Sequence, residues 1–238
     1  MKHLVQCLKV YTETLNEFKK MKKMEKFKRF NLRNLIPVIL LTLIAGSALV
    51  FSSGCDDSSD TNPVPQLNAE DSTMLVHMRE EEKLARDVYN TMYEKWALKI
   101  FTNIAQSEQT HMDEVLKLLN KYGIPDPASS EPGKFNNPDL QSLYTYLVAK
   151  GDSSMINGLL VGATIEDLDI YDLEEYMKKT TNTDILSTFQ FLTCGSRNHM
   201  RAFYSQLQDN GASYTPSYIS QEEFDQIINS ASERCGLQ

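Results

Sequence analysis

No Cys-x-x-Cys pair occurs anywhere in the chain, so the ligand spacing of zinc ribbons and iron–sulfur clusters is missing. Of four cysteines, Cys7 and Cys55 fall in the N-terminal leader. Cys194 and Cys235 remain, either paired in an oxidising compartment or standing as separate thiols. Basic charge is also short beyond the leader. Residues 1–55 hold 10 of the 24 Lys and Arg and 3 of the 32 Asp and Glu, leaving 14 basic against 29 acidic, a net −15. Such a surface repels phosphate backbones, which excludes nucleic acid as a partner, and it attracts cations. Strand signals are scarce. No flavin, haem or rubredoxin-like segment is present, so any redox cycle requires an external electron donor.

What the N-terminus does have is targeting character. A basic stretch from Lys19 to Arg33 precedes the uncharged run Leu35–Phe51, then Ser52-Ser53-Gly54-Cys55. The run is short for a spanning helix and suits a signal-peptide core. Small residues before Cys55 resemble a bacterial lipoprotein processing site, although Ser52 stands where Leu or Val is usual. Lipidation of Cys55 would place the protein outside the cytoplasm, anchored to a membrane. An uncleaved anchor and ordinary cleavage are the alternatives, and Met21 or Met24 is the expected start of translation. Residues 1–55 are therefore read as leader. Residues 56–69, rich in Ser, Asp, Asn and Pro, form a flexible tether, and 70–238 form the folded domain.

Four long segments of that domain carry helical periodicity, with apolar steps alternating three and four. They span about Asp71–Trp96, Lys99–Tyr122, Ser153–Lys178 and Thr183–Gln208. This predicts an all-α fold, a four-helix bundle with shallow crossing angles. Between helices two and three lie roughly 30 residues, more than an up-down bundle needs. They include an amphipathic segment, Pro138–Lys150, and make one long crossover. A short C-terminal helix is expected from Ser220, whose spacing to Glu223 suits a capping box, with Phe224, Ile227 and Ile228 docking on the bundle.

Each seam is apolar at its ends and polar in its middle. Glu82, Glu108, His111, Glu166, Asp169 and His199 all occupy positions that face the core. Four clustered carboxylates oppose burial strongly. Two divalent cations between them balance four negative charges, with both imidazoles binding neutral. Glu108 and His111, spaced Glu-x-x-His, reach one site from one helix face. Carboxylate oxygen with imidazole nitrogen suits iron or manganese, with zinc compatible. The bland readings are a solvated acidic face for Glu166 and Asp169, hydrogen-bonded core histidines for His111 and His199, and a surface role for Glu82. The Glu80–Glu82 run is expected to turn two of its three side chains outward. Tyr89 lies one helical step beyond Ala85 and can reach a ligand.

These residues also carry a resemblance. Glu82-x-x-Ala85-Arg86-x-x-Tyr89 and Ile104-Ala105-x-x-Glu108-x-x-His111 resemble the first- and second-helix blocks of rubrerythrin-type ferritin-like proteins. The wider chain is similar to an uncharacterised bacterial and archaeal family of ferritin-like domains, through MREEEKLARDVY, NIAQSEQTHMDEVLKLLNKYG, VGATIEDLDIYDL and GSRNHMRAF. The resemblance covers roughly residues 70–230. It implies a ferritin-like fold and a di-metal (di-iron) site with ligands Glu82, Glu108, His111, Glu166 and His199. Rubrerythrin-type proteins repeat Glu-x-x-His on the fourth helix, where this chain has Ser196, a poor ligand. Asp169, one turn beyond Glu166, would restore four carboxylates.

Three functions follow as expectations. The first is a di-metal oxidoreductase. The second is a metal-binding protein without turnover, and the third a metal-free helical interaction lipoprotein. Oligomeric state, a homodimer included, stays open.

Overall fold

The computed structural model of the protein describes residues 66–236. The leader with Cys55, and the tether up to residue 65, lie outside the described residues. Six α-helices and no strand are found among the described residues. They are α1 Ala69–Trp96, α2 Lys99–Lys121, α3 Pro138–Gly151, α4 Met155–Met177, α5 Thr183–Asp209 and α6 Gln221–Asn229. None of these helices is long and apolar enough to cross a membrane.

Local chemistry sets their ends. Asn68 caps α1, its Oδ1 accepting the Asp71 N–H at 2.8 Å, so the helix starts two residues before the expected Asp71. Ser154 caps α4 and Asn182 caps α5 in the same way. Ser220 caps α6, its Oγ accepting the Glu223 N–H at 3.1 Å. The chain leaves α2 through Gly123 at φ 64°, where the missing Cβ removes the cost of a left-handed residue.

Two helical hairpins, α1 with α2 and α4 with α5, make the most extensive contacts, and α2–α5 and α1–α4 contacts join them. Two apolar clusters fix the helix directions. One contains Tyr89, Phe101, Ile104, Leu159, Ile165 and Phe203. The other contains Leu75, Met78, Val115, Leu173, Phe189 and Leu192. Following the chain, α2 and α4 both pass from the first cluster to the second, and α1 and α5 both pass the other way. Helices α2 and α4 therefore run in the same direction, and the crossover at residues 122–154 with α3 returns the chain to the starting end. Burying a Leu or Phe stabilises by about 1.5–3 kcal/mol. Clusters on both sides thus hold the helices together across a middle layer that is polar.

The crossover is fastened to the outer face of α1. Arg79 donates to both carboxylate oxygens of Asp126, at 3.0 and 2.7 Å. Lys83 donates to Asp87 at 2.5 Å and to the Glu131 carbonyl at 3.0 Å, and its ammonium sits 4.4 Å from the Phe135 ring centre. Glu80 Oε1 accepts the backbone N–H groups of Asn136 and Asn137 at 3.0 and 3.3 Å. This corrects the expectation for Glu80–Glu82. All three are buried, at 4, 1 and 0 % exposure: the crossover covers Glu80, Glu81 lies by Asp172 of α4, and Glu82 faces the core.

At the other end of the chain, buried Asp167 accepts the N–H groups of Ser217, Tyr218 and Ile219 and the Tyr214 hydroxyl. Phe224 and Ile227 of α6 are buried, and α6 packs on α5. Cys194 and Cys235 are disulfide-bonded, which ties the C-terminal segment to α5.

Candidate metal centre

Between the two apolar clusters, the helices present Glu82 from α1, Glu108 and His111 from α2, Glu166 and Asp169 from α4, and Ser196 and His199 from α5. All are buried: the four carboxylates and Ser196 are at most 1 % exposed, His111 2 % and His199 8 %. The wheel spacing read from the sequence explains this, since each lies in phase with the apolar residues of its helix.

Glu108 is the common member. Its Oε2 lies 2.8 Å from His111 Nδ1 and its Oε1 lies 2.9 Å from His199 Nδ1. Glu82 Oε2 is 3.2 Å from His111 Nδ1, and Glu166 Oε2 is 3.4 Å from His199 Nδ1. Two three-ligand groups result, Glu82–Glu108–His111 and Glu108–Glu166–His199, each with one donor atom per residue within 4.8 Å of the others. The two imidazoles stack with ring centres 5.6 Å apart.

The electrostatics are those of charges held out of water. Burial pushes Glu82 up to about 8 against the pull of His111. Burial opposes the charge of His111 too, yet Glu82 and Glu108 hold it up to about 10. Burial works against ionised Glu108 as well, but the two imidazoles keep it below the ordinary carboxylate range. Asp169 is raised well above its usual value, first by burial and then by Glu82, Glu81, Glu166 and Glu108.

Donor chemistry and satisfaction both suit a cation. Glu82 Oε1, both oxygens of Glu108, Glu166 Oε2, both oxygens of Asp169 and His199 Nδ1 are buried without a hydrogen-bond partner. Among the imidazole–carboxylate contacts, only His111 with Glu82 has hydrogen-bond geometry. Atoms that approach closely without aligning as donor and acceptor are typical of ligands converging on a shared ion. With metal–ligand bonds of about 2.1 Å, adjacent ligands on an octahedron are separated by about 3 Å. The 2.8–3.4 Å separations above match that edge. These groups could hold a metal ion.

The remaining candidates sit as follows. The Tyr89 hydroxyl donates to Glu166 Oε1 at 2.5 Å. The Ser196 hydroxyl donates to the Leu192 carbonyl within α5 at 3.1 Å. Asp169 belongs to neither three-ligand group, although it lies in the same buried layer.

Two residues at the site escaped the sequence reading. Ser107 Oγ lies 2.9 Å from His199 Nε2, and a partner there fixes which nitrogen faces inward; its adjacency to Glu108 was the available signal. Gly195 backs His111, since a Cβ there would lie 2.4 Å from His111 Nε2. Only a glycine admits the ring so close to α5. A third group, His77–Glu81–Asp172, also brings three donors together.

Comparison with known proteins gives consistent matches. The family model described as an uncharacterised protein domain, DUF2202, matches residues 71–231. Uncharacterised protein MJ0754 of Methanocaldococcus jannaschii is 56% identical over 173 residues, covering 72% of this chain and 94% of that protein. The crystal structure of hypothetical protein MJ0754 from Methanococcus jannaschii has a TM-score of 0.70 at 55% identity, covering 73% of this chain and 100% of that one.

Proposed function

Since the chain belongs to the DUF2202 family of uncharacterised domains, whose description assigns no chemistry, we propose its function from the site alone: a ferritin-like four-helix bundle binding two divalent metal ions, iron or manganese, as a di-metal oxidoreductase. The observation that carries this reading is Glu108, whose two oxygens each face a different imidazole Nδ1. A carboxylate so placed could serve both ligand groups. Parallel α2 and α4 joined by a long crossover support the ferritin-like assignment.

Glu82 and His111 would hold one ion, Glu166 and His199 the other, and Glu108 both. Iron held there would supply electron transfer to oxygen or peroxide. The chain's own contribution is to exclude water from the layer, to fix His199 through Ser107, and to orient Glu166 through the Tyr89 hydroxyl. Electrons would come from an external donor. Anchoring through lipidated Cys55 outside the cytoplasm belongs to the same proposal. The Cys194–Cys235 disulfide supports it, since disulfides persist in oxidising compartments. Replacing Cys55 by Ser should move the protein from the membrane to the soluble fraction.

Ser196 favours a second reading, metal binding without turnover. Its hydroxyl is engaged with Leu192, so no carboxylate of α5 supplies a second bridge. Metal analysis of the protein purified from its native compartment tests both readings. The expected result is about two transition-metal ions per chain, lost in Glu108→Ala and His111→Ala. Anaerobic iron loading followed by oxygen then separates them. An absorbance change that recurs with added reductant marks the oxidoreductase, and a single oxidation marks the binding protein. A complete absence of transition metal leaves the metal-free interaction protein.

A further inference from the structure

His77 and Glu81, one turn apart on α1, meet Asp172 of α4 with one donor atom each inside a 4.8 Å group. His77 Nδ1 is 3.3 Å from Glu81 Oε2, and the cluster grades from surface to interior, with side-chain exposures of 24 % at His77 and 2 % at Glu81. The Tyr176 hydroxyl lies 3.1 Å from His77 Nδ1, and the two rings meet edge to face. An imidazole with two carboxylates is a donor set for a divalent transition metal.

An independent observation joins this cluster to the core. Asp169 stands one helical turn before Asp172 on the same helix, so the two side chains share a face. It is 1 % exposed, and neither of its oxygens has a hydrogen-bond partner. The carboxylates that act on it include both Glu81, from the outer cluster, and Glu82, from the core. A buried, unpartnered carboxylate in the polar layer, acted on by members of both ligand groups, is suitably placed to receive a cation from one group and release it to the other.

We propose that His77, Glu81 and Asp172 form an outer divalent-cation site, and that Asp169 passes the ion inward to Glu82, Glu108 and His111. The outer site stands on its own donors, whereas the transfer step rests on the metal reading of the core. The outer site binds more weakly than the core, because it is open to water and offers two carboxylates rather than a shared bridge.

Cobalt(II) alone, added anaerobically to the full-length metal-free chain in detergent, tests this through its ligand-field absorbance and the number of ions bound. Three equivalents are expected, two tight and one weak. His77→Ala with Asp172→Asn should lose only the weak equivalent and slow filling of the tight ones roughly tenfold. Asp172→Asn alone, at a half-buried surface position, provides the same readout should the double variant fold poorly. Asp169→Asn should keep the weak equivalent and slow filling. Glu108→Ala should do the reverse of the outer variants, losing tight equivalents and keeping the weak one. Unchanged stoichiometry and filling rate in both outer variants would overturn the outer site. An intact weak equivalent with no tight ones in the parent chain would instead overturn the core reading and, with it, the transfer step.

Discussion

Helix α1 buries charge on two faces, and the two are solved in opposite ways. On the outer face Arg79, Glu80, Lys83 and Asp87 are all at most 6 % exposed, and each meets an opposite charge or a backbone group: Asp126, the amides of Asn136 and Asn137, the Glu131 carbonyl, and one another. On the inner face Glu82 joins Glu108, Glu166 and Asp169 with only two histidines for company, and most of their oxygens have no hydrogen-bond partner. Equal burial therefore carries different meaning. A balanced set of charges closes a loop onto a helix, and an unbalanced set leaves room for a cation.

The contrast can be broken from either side. Lys83→Met should have the largest effect, about 3 kcal/mol of lost stability in urea unfolding. That is the low end for halving a buried ion pair, because Arg86 still reaches Asp87 at 2.8 Å. Metal should stabilise through its ligand groups and not through the crossover face, by about 2.7 kcal/mol per core site at a hundredfold excess over its Kd. A thermal melt checks this, and Lys83→Met should retain the increment while Glu108→Ala loses it.

The pH response should divide the two faces next. Glu82 is raised to about 8, so the folded state retains a proton that the unfolded chain releases near 4.5, and its contribution declines as pH rises between these values. His111, raised to about 10, contributes fully below about 6.5 and loses its contribution as pH climbs through 10. The metal-free protein should therefore lose stability steadily from about pH 5 to 10, and saturating metal should remove that decline. Asp126 is held below its ordinary value by Arg79, against burial. Its contribution is present at neutral pH and disappears in acid, below about pH 4. The smallest effect is expected from Asp169→Asn, which replaces an acid whose ionisation burial and the neighbouring carboxylates oppose. It should stabilise the metal-free protein slightly, measured by urea unfolding at pH 8.

Much of the fold was legible in the sequence because it rests on local periodicity. The long helices, the crossover and the Ser220 cap lie within a few residues of expectation. The same periodicity carried the inner layer, since Glu82, Glu108, His111, Glu166, Asp169 and His199 are in phase with their apolar neighbours. Glu80 and Glu81 were misplaced because their burial depends on chain far away: the crossover for Glu80, and α4 for Glu81. Gly195 was equally hidden, since its reason is an imidazole on another helix. Whether Cys194 and Cys235 pair was likewise a matter of where α6 leads the tail, which no local pattern states.

Three consecutive glutamates on α1 point to three separate neighbourhoods: the crossover, the outer cluster and the core. Successive residues on a helix turn by about 100°, so one inserted or deleted residue ahead of Glu80 would send each carboxylate to the wrong address at once. Changes in chain length are therefore compatible with function only outside the stretch from Asn68 to Asp87. The same lock forbids α1 from twisting about its axis, so any opening of the interior has to come from side-chain movement or from the helices opposite.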